Sequence, residues 1–184
     1  MSVGTIFQVQ VVGGVLLFAL MAKWYWAPQL ARLPLGAALT PLLLLHLSRV
    51  LGLTFLVPTV VDPSLPRSFA VPAAYGDLIA AALALLSIVA LRTGWRFAPV
   101  VVWIFTLEGA GDLINAFVQG LRVEMARYHL GVAWYIFTVL VPALLVTHAL
   151  IAVWLVRHAR ARSRVPRTGP DSLAVVVSPS SSRQ

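Results

Sequence analysis

The chain has 184 residues, of which 60% are apolar and 11% charged, with a mean hydropathy of +0.90 and a formal net charge of +8. Soluble domains are about 45–50% apolar and about 25% charged, so this composition excludes a soluble globular domain and predicts an integral membrane protein. The chain contains no cysteine, which excludes disulfides, thiolate metal sites and a cysteine nucleophile.

Five stretches are long and apolar enough for spanning helices, which need about 20 mainly apolar residues. They predict an all-α, multi-pass transmembrane bundle over residues 1–160, followed by a basic and then disordered cytoplasmic tail over 161–184. The predicted spans cover approximately 5–21, 35–61, 73–91, 97–119 and 132–156. We expect the first span to be retained, since no basic segment or cleavage site precedes it, and to pack peripherally through Gly13 and Gly14.

The second predicted helix carries His46 and Arg49, which are three residues apart and therefore share one face. The prolines that follow, from Pro58 to Pro72, predict a stiff, non-helical connection to the third helix. Asp77 then lies near the predicted start of helix three. This position leaves two interpretations open, a site residue or a partner of the N-terminal helix dipole.

The fourth predicted helix carries a polar stripe on an otherwise apolar segment. Glu108, Asp112, Asn115 and Gln119 follow each other at i, i+4, i+7 and i+11. Unsatisfied polar groups are costly in lipid, so the stripe is expected to face the bundle interior or a hydrated cavity.

Counting about 1.5 Å per residue along each helix predicts the depth of the polar groups. We expect Glu108, His46 and His148 to meet near the midplane, with Arg49 and Asp112 one turn further out. Asp77 and Asn115 are expected nearer the outer surface. The predicted site is a polar cleft that opens outward, with Arg49, Asp77, Glu108, Asp112 and Asn115 as ligand-binding residues.

Arg49 is expected to pair with Asp112 or Glu108, since a bidentate carboxylate satisfies most donors of a buried guanidinium. One arginine against three carboxylates leaves two negative charges if all ionise. Protonation of the acids or histidines, a divalent cation or a cationic ligand would offset them. His46 and His148 are also candidate ligands of haem b or, with Glu108, of a divalent metal. The alternative for each histidine is an interhelical hydrogen bond.

The basic residues predict the orientation of the bundle. Lys23, Arg32, Arg92, Arg96 and an arginine run from Arg157 to Arg167 fall on one side of a five-span topology. The positive-inside rule makes that side the cytoplasm, with the N-terminus outside the cell membrane. The arginine run is interpreted as a contact to anionic lipids and not to nucleic acid. Thirteen arginines against one lysine are typical of a GC-rich bacterial genome.

Three functional classes follow from these groups, because ionisable side chains inside a membrane indicate a functional site by default. The first binds or transports a small polar or ionic ligand with proton-titrating carboxylates. The second is a metal- or haem-dependent oxidoreductase or hydrolase that uses His46 and His148. The third is a structural subunit, in an oligomer or membrane complex, whose charges pair with one another or with a partner. No zinc-protease, serine-hydrolase or phosphate-loop motif is present, so the sequence leaves open whether the protein is an enzyme.

Overall fold

A computed structural model describes residues 1–163 of the chain. The predicted tail therefore lies almost entirely outside the described residues. Within the described part the fold is all-helical, as predicted, and five helices are long and apolar enough to cross a membrane. They are α1 (Val3–Leu30), α2 (Leu35–Leu56), α3 (Arg67–Arg92), α4 (Ala98–Arg122) and α5 (Ala133–Ala161).

Helices α2, α3, α4 and α5 form a ring in which each packs against the next and α5 closes against α2. Helix α1 lies outside this ring and packs on α5. Gly14 makes that contact, since a Cβ built on it would lie 3.1 Å from Pro142 Cγ, whereas Gly13 has no neighbour within 4 Å. Helix α1 is therefore peripheral, as predicted, but only Gly14 of the two glycines makes the contact with α5.

Three helices contain turns that are not α-helical. Helix α1 has a π-helical turn at Ala22–Trp26, and α5 has one at Ile136–Leu140. Helix α2 changes from α-helix to 3₁₀-helix over Leu47–Leu56. Runs of 3₁₀-helix longer than three or four residues are uncommon and often mark a functional or strained segment.

Four helix boundaries differ from the prediction by five residues or more. Helices α1 and α5 extend further, to Leu30 and Ala161, and proline explains the differences at the end of α2 and the start of α3. Helix α2 ends at Leu56 because Val57, which precedes Pro58, has an extended backbone. Helix α3 begins at Arg67 and continues through Pro72, so the predicted non-helical connection is six residues too long. Proline is tolerated inside membrane helices because neighbouring groups satisfy the freed carbonyl.

The two loops that follow α2 and α4 are joined to each other. The backbone N–H of Asp62 donates to the carbonyl of His129 at 2.8 Å. Gly131 has φ +52°, and a Cβ built on it would lie 2.5 Å from the carbonyl oxygen of Val60. This end of the bundle is therefore covered by a pair of interlocked loops.

Candidate functional site

Arg49 is the centre of a polar layer in the middle of the ring. Its side chain is fully buried and binds two different helices. Nε donates to Asp77 Oδ1 of α3 at 2.7 Å, and Nη1 donates to the carbonyl of Gly109 of α4 at 2.9 Å. Nη2 donates to Asp112 Oδ2, also of α4. One guanidinium of α2 thus ties α3 and α4 together.

The 3₁₀ geometry of α2 directs this arginine inward. In a 3₁₀-helix residues three apart eclipse each other, so a buried face repeats every third residue. The buried residues of the segment are Arg49, Gly52 and Phe55, and His46 lies one step before them. In an α-helix, residues three positions apart are rotated by about 60° relative to each other, so some of these side chains would face lipid.

The three charged groups lie at the same depth. Arg49 is about 14 Å from the Leu56 end of α2 at roughly 2.0 Å per residue. Asp77 and Asp112 are each about 15 Å from the Arg67 and Arg122 ends of their helices at 1.5 Å per residue. The three groups therefore lie at about the same height along the bundle.

The position of Asp77 corrects two expectations. We predicted it nearer the outer surface than Asp112, and we also considered a role at the helix start. Because α3 begins at Arg67, Asp77 lies almost three turns into the helix and reaches Arg49. The arginine therefore pairs with two aspartates, and Glu108 is not one of its partners.

Three glycines make room for the polar side chains. A Cβ on Gly52 of α2 would lie 2.7 Å from Asp77 Cγ, and one on Gly76 of α3 would lie 2.6 Å from Asp112 Cγ. A Cβ on Gly109 of α4 would lie 2.8 Å from His148 Cε1 and 3.1 Å from Arg49 Nη1. Three of the four helices of the ring, α2, α3 and α4, therefore each present a glycine to a polar side chain of the next helix. We call these positions the glycine slots.

Glu108 lies one turn from Asp112 on α4 and is only partly buried. Its Oε2 atom is buried and has no hydrogen-bond partner among the described residues. Asn115 is exposed, contrary to the prediction of one continuous inward stripe. The buried face of α4 passes through Gly109 and Leu113, and Asn115, six residues after Gly109, lies about 120° away from it.

His46 and His148 form a second layer, further from the interlocked loops than Arg49. Their ring centroids are 4.2 Å apart, and the Phe105 ring packs 4.9 Å from each of them. The Thr147 hydroxyl lies 3.0 Å from the carbonyl oxygens of Ala143 and Leu144 and 3.0 Å from His46 Nε2, and the tautomer of His46 decides which of the two side chains donates. His46 Nδ1 and both ring nitrogens of His148 are buried without a partner in the described part of the chain.

This geometry does not fit the predicted metal or haem site. An iron with two axial imidazoles lies between the rings together with the porphyrin plane, but here the rings are in contact and Phe105 covers both. Within residues 1–163 no three His, Asp or Glu side chains converge as a set able to hold a metal ion. His46, His148 and Glu108 are therefore close in depth without forming a ligand set.

Apolar clusters lie on both sides of the polar groups. Toward the interlocked loops, Phe55, Phe69 and Phe137 pack with ring centroids 5.3–6.2 Å apart. Toward the other end, Leu39, Leu43, Val102 and Ile151 belong to a second buried cluster. The expected cleft that opens outward is thus closed by an aromatic layer, and the Asp77 and Asp112 side chains are only 13% and 15% exposed.

Sequence reasoning missed the contributions of Thr147, Phe105, Gly52 and Gly76. Thr147 is adjacent to His148 in the chain, and Gly76 is adjacent to Asp77. Proximity in sequence to an ionisable residue of a predicted span was the one signal available for them. Small and hydroxyl side chains are common in membrane helices, so that signal alone is weak.

The fold and the polar layer define the class of the protein, an all-helical bundle with five helices of membrane-spanning length and composition. Residues 6–156 match the family model described as "Domain of unknown function (DUF8737)", and the chain belongs to this family. No curated protein and no solved structure matches the chain.

Proposed function

We propose that the protein is a multi-pass membrane protein that binds or transports a small polar or ionic solute and exchanges protons at the carboxylates of the polar layer. The observation that carries this proposal is the sharing of one guanidinium by two aspartates, while Glu108 keeps a buried oxygen without a partner. One positive charge against three carboxylates leaves two negative charges to be neutralised. Charge of this kind inside a membrane bundle is expensive and is retained mainly for function.

Protons and small cations compete with Arg49 for the same oxygens. A proton on Asp77 or Asp112 weakens the charge-assisted bond to the guanidinium, and a cation at Glu108 adds attraction for Asp112. Either event changes how strongly α2 is held to α3 and α4. The solute is therefore expected to be cationic, or to be carried together with protons.

Proton movement tests the proposal without knowledge of the solute. Purified protein is reconstituted into liposomes that contain the pH indicator pyranine, and a potassium diffusion potential is imposed with valinomycin. We expect acidification above that of empty liposomes, and we expect Glu108→Gln and Asp112→Asn to abolish it. Glu124→Gln is the matched control, because Glu124 is exposed and, among residues 1–163, pairs only with Arg127. Wild-type protein that moves no protons would refute the proposal.

A survey of small cations tests the binding part. The melting temperature in detergent is measured with sodium, potassium, ammonium or guanidinium chloride at constant ionic strength. A ligand that binds only the folded state raises the melting temperature, because it stabilises that state by RT ln(1 + L/Kd), where L is the free ligand concentration. We expect one cation to stabilise the wild type in a pH-dependent manner and to lose its effect in Asp112→Asn. Equal effects of all cations on both proteins would exclude cation binding at this layer.

A second candidate is a purely structural role for the charges, within one chain or in a membrane complex. The observation in its favour is that Arg49 finds its partners inside the chain. In that case Asp112→Asn lowers stability or assembly, and wild-type liposomes show no proton uptake. The liposome assay thus separates the two candidates.

We place the N-terminus outside the cell membrane and the C-terminus in the cytoplasm. Lys23 lies in the last two turns of α1, and Arg32 follows that helix. Arg92 ends α3, and Arg96 lies in the α3–α4 connection. The C-terminal end of α5 carries Arg157, whose guanidinium packs 5.0 Å from the Trp154 ring centroid, at a position suited to anionic lipid headgroups. Fusion of a fluorescent protein, which folds only in the cytoplasm, to the C-terminus tests this orientation. A non-fluorescent but membrane-inserted fusion would reverse it.

A further inference from the structure

A cavity of about 350 Å³ lies beside the histidine layer, between α1, α2 and α5. It is bounded by the end of α1 and the first half of α2, so it opens near the α1–α2 connection. Thr147 of α5 lies at its inner wall. Its lining residues are Trp26, Gln29, Leu30, Pro41, Leu42, Leu45 and Thr147.

Thr147 links this cavity to the polar layer through a series of direct contacts. Its hydroxyl is 3.0 Å from His46 Nε2, and the His46 ring lies 4.2 Å from the His148 ring. The His148 ring in turn occupies the glycine slot of Gly109, whose carbonyl accepts from Arg49. No apolar side chain separates consecutive members of this series.

The same series and Glu108, which precedes Gly109 in the chain, contain most of the buried side-chain polar atoms that lack a partner. Among the described residues these atoms are His46 Nδ1, His148 Nδ1 and Nε2, Glu108 Oε2 and Thr54 Oγ1. Four of the five therefore belong to the two histidines and Glu108. Buried polar atoms are normally satisfied by protein or by ordered water, so a run of unsatisfied ones marks a place for water.

From this arrangement we propose that Thr147, His46 and His148 form a proton path from the cavity to the carboxylates of α4. This inference rests on the proposed proton exchange and identifies the side from which the proton arrives. Water in the cavity gives a proton to the Thr147 hydroxyl, which passes its own proton to His46. His46 passes a proton to His148 through water at the edges of the two rings, where their nitrogens lack a partner, and His148 passes one through water to Oε2 of Glu108. The net change is one proton lost by the cavity water and one gained by the carboxylate.

The charged groups that face the histidines determine how the path operates. Arg49 of α2 lies beside His148 at the slot of Gly109 and repels a proton that remains on either ring. Asp77 of α3 and Asp112 of α4 lie on the far side of Arg49 and bind it. Glu108 of α4 is the carboxylate that the guanidinium does not bind. A proton therefore passes the histidines transiently and stays on Glu108.

Removal of a single hydroxyl tests the path. We expect Thr147→Val to slow proton uptake into pyranine-loaded liposomes by about tenfold or more, since proton transfer requires a group within hydrogen-bond reach. Thr138→Val is the matched control, because Thr138 is also a buried threonine of α5 and its hydroxyl, within the described part of the chain, bonds only to the carbonyl of Trp134. His46→Gln, which keeps an N–H for Thr147 but does not titrate, is expected to have the same effect as Thr147→Val. Melting temperatures of all variants establish that each is folded.

The outcomes separate this inference from the proposed function. Wild-type rates in Thr147→Val and His46→Gln, with loss of uptake in Glu108→Gln, would overturn the path and leave the proposed function standing. Absence of uptake in the wild type would overturn both. Loss of uptake in Thr138→Val as well would overturn the specific role of Thr147.

The absence of cysteine from the chain allows an independent test. We expect Thr147→Cys to react with a small, membrane-impermeant methanethiosulfonate added on the side of the α1–α2 connection, and not when it is added on the opposite side. Thr138→Cys is expected to be unreactive from both sides. An unreactive Thr147→Cys would show that water does not reach this position, and the path would be excluded.

Discussion

Replacement of Gly109 by alanine is expected to destabilise the bundle, whereas replacement of Gly111, two residues away on α4, is not. A Cβ at position 109 would lie 2.8 Å and 2.9 Å from two His148 ring atoms and 3.1 Å from Arg49 Nη1. A Cβ at position 111 would meet nothing within 4 Å. The two sites share a helix and differ mainly in what the methyl group contacts.

The magnitude follows from two terms. Alanine in place of glycine inside a helix contributes roughly 1 kcal/mol of stabilisation through backbone entropy, and this term is common to both variants. Overpacking of a well-filled interior costs about 1–3 kcal/mol. The common term cancels in the difference, so Gly109→Ala is expected to be less stable than Gly111→Ala by about 1–3 kcal/mol.

The assay is reversible unfolding in mixed detergent micelles, with the free energy of unfolding of both variants compared under identical conditions. Circular dichroism before unfolding checks that each variant contains the same amount of helix. Equal stability of the two variants would refute the close packing of α4 against His148 and Arg49. The glycine slot at Gly109 would then make no measurable contribution to the free energy of unfolding.

Three further predictions concern the charges and the loops. Arg49→Met is expected to lower the free energy of unfolding by about 3–5 kcal/mol, because it leaves two aspartates unpaired. The triple variant Arg49→Met/Asp77→Asn/Asp112→Asn is expected to recover a large part of that loss in the same unfolding assay. A triple variant no more stable than Arg49→Met would contradict this reasoning. Gly131→Ala and Gly94→Ala both place a side chain at positive φ, but only position 131 also meets a carbonyl, that of Val60, so Gly131→Ala is expected to be the less stable of the two. The Ser64 hydroxyl, and to a lesser extent the Ser64 N–H, donates a hydrogen bond to Asp62 and holds the pKa of that carboxyl below its usual value. The carboxylate therefore stabilises the loop at neutral pH, and this contribution is lost as pH falls through the lowered pKa. Hydrogen exchange at the Ser64 amide is therefore expected to lose protection in acid, relative to the intrinsic exchange rate, in the wild type but not in Asp62→Asn.

The sequence was sufficient to predict the class of fold and much of the site's membership. Hydropathy over windows of about 20 residues identifies spanning helices because the thickness of the bilayer is fixed. Polar groups on such helices must face inward, and this condition brings Arg49, Asp112, His46 and His148 into the ring. Both rules follow from the free energy of transferring a side chain from water to lipid. That free energy depends mainly on residue type, so a single sequence is enough to apply them.

The sequence was not sufficient where helix geometry or packing decides the outcome. The change to 3₁₀-helix at Leu47 is not visible in hydropathy, yet it aligns Arg49 with Gly52 and Phe55. The start of α3 was predicted too late because proline was taken as a helix breaker, and Asp77 was therefore assigned to the wrong depth. Asn115 was placed on the inner face because spacing alone cannot say which side of a polar stripe the neighbouring helices cover.

The glycine slots and the shared guanidinium together restrict how the polar layer responds to a proton. Arg49 holds α3 and α4 through three hydrogen bonds, and the slots leave no free space between the three glycines and the side chains of Asp77, Asp112 and His148. A side chain released from Arg49 therefore cannot move toward the helix that carries its glycine unless the helices shift relative to each other. The long 3₁₀ segment of α2 and the π-turn of α5 both lie beside the aromatic layer that closes the bundle toward the loops, and Phe55 and Phe137 belong to them. Helix shifts that begin at the charges would thus act first on the segments whose hydrogen bonding already departs from the α-helix.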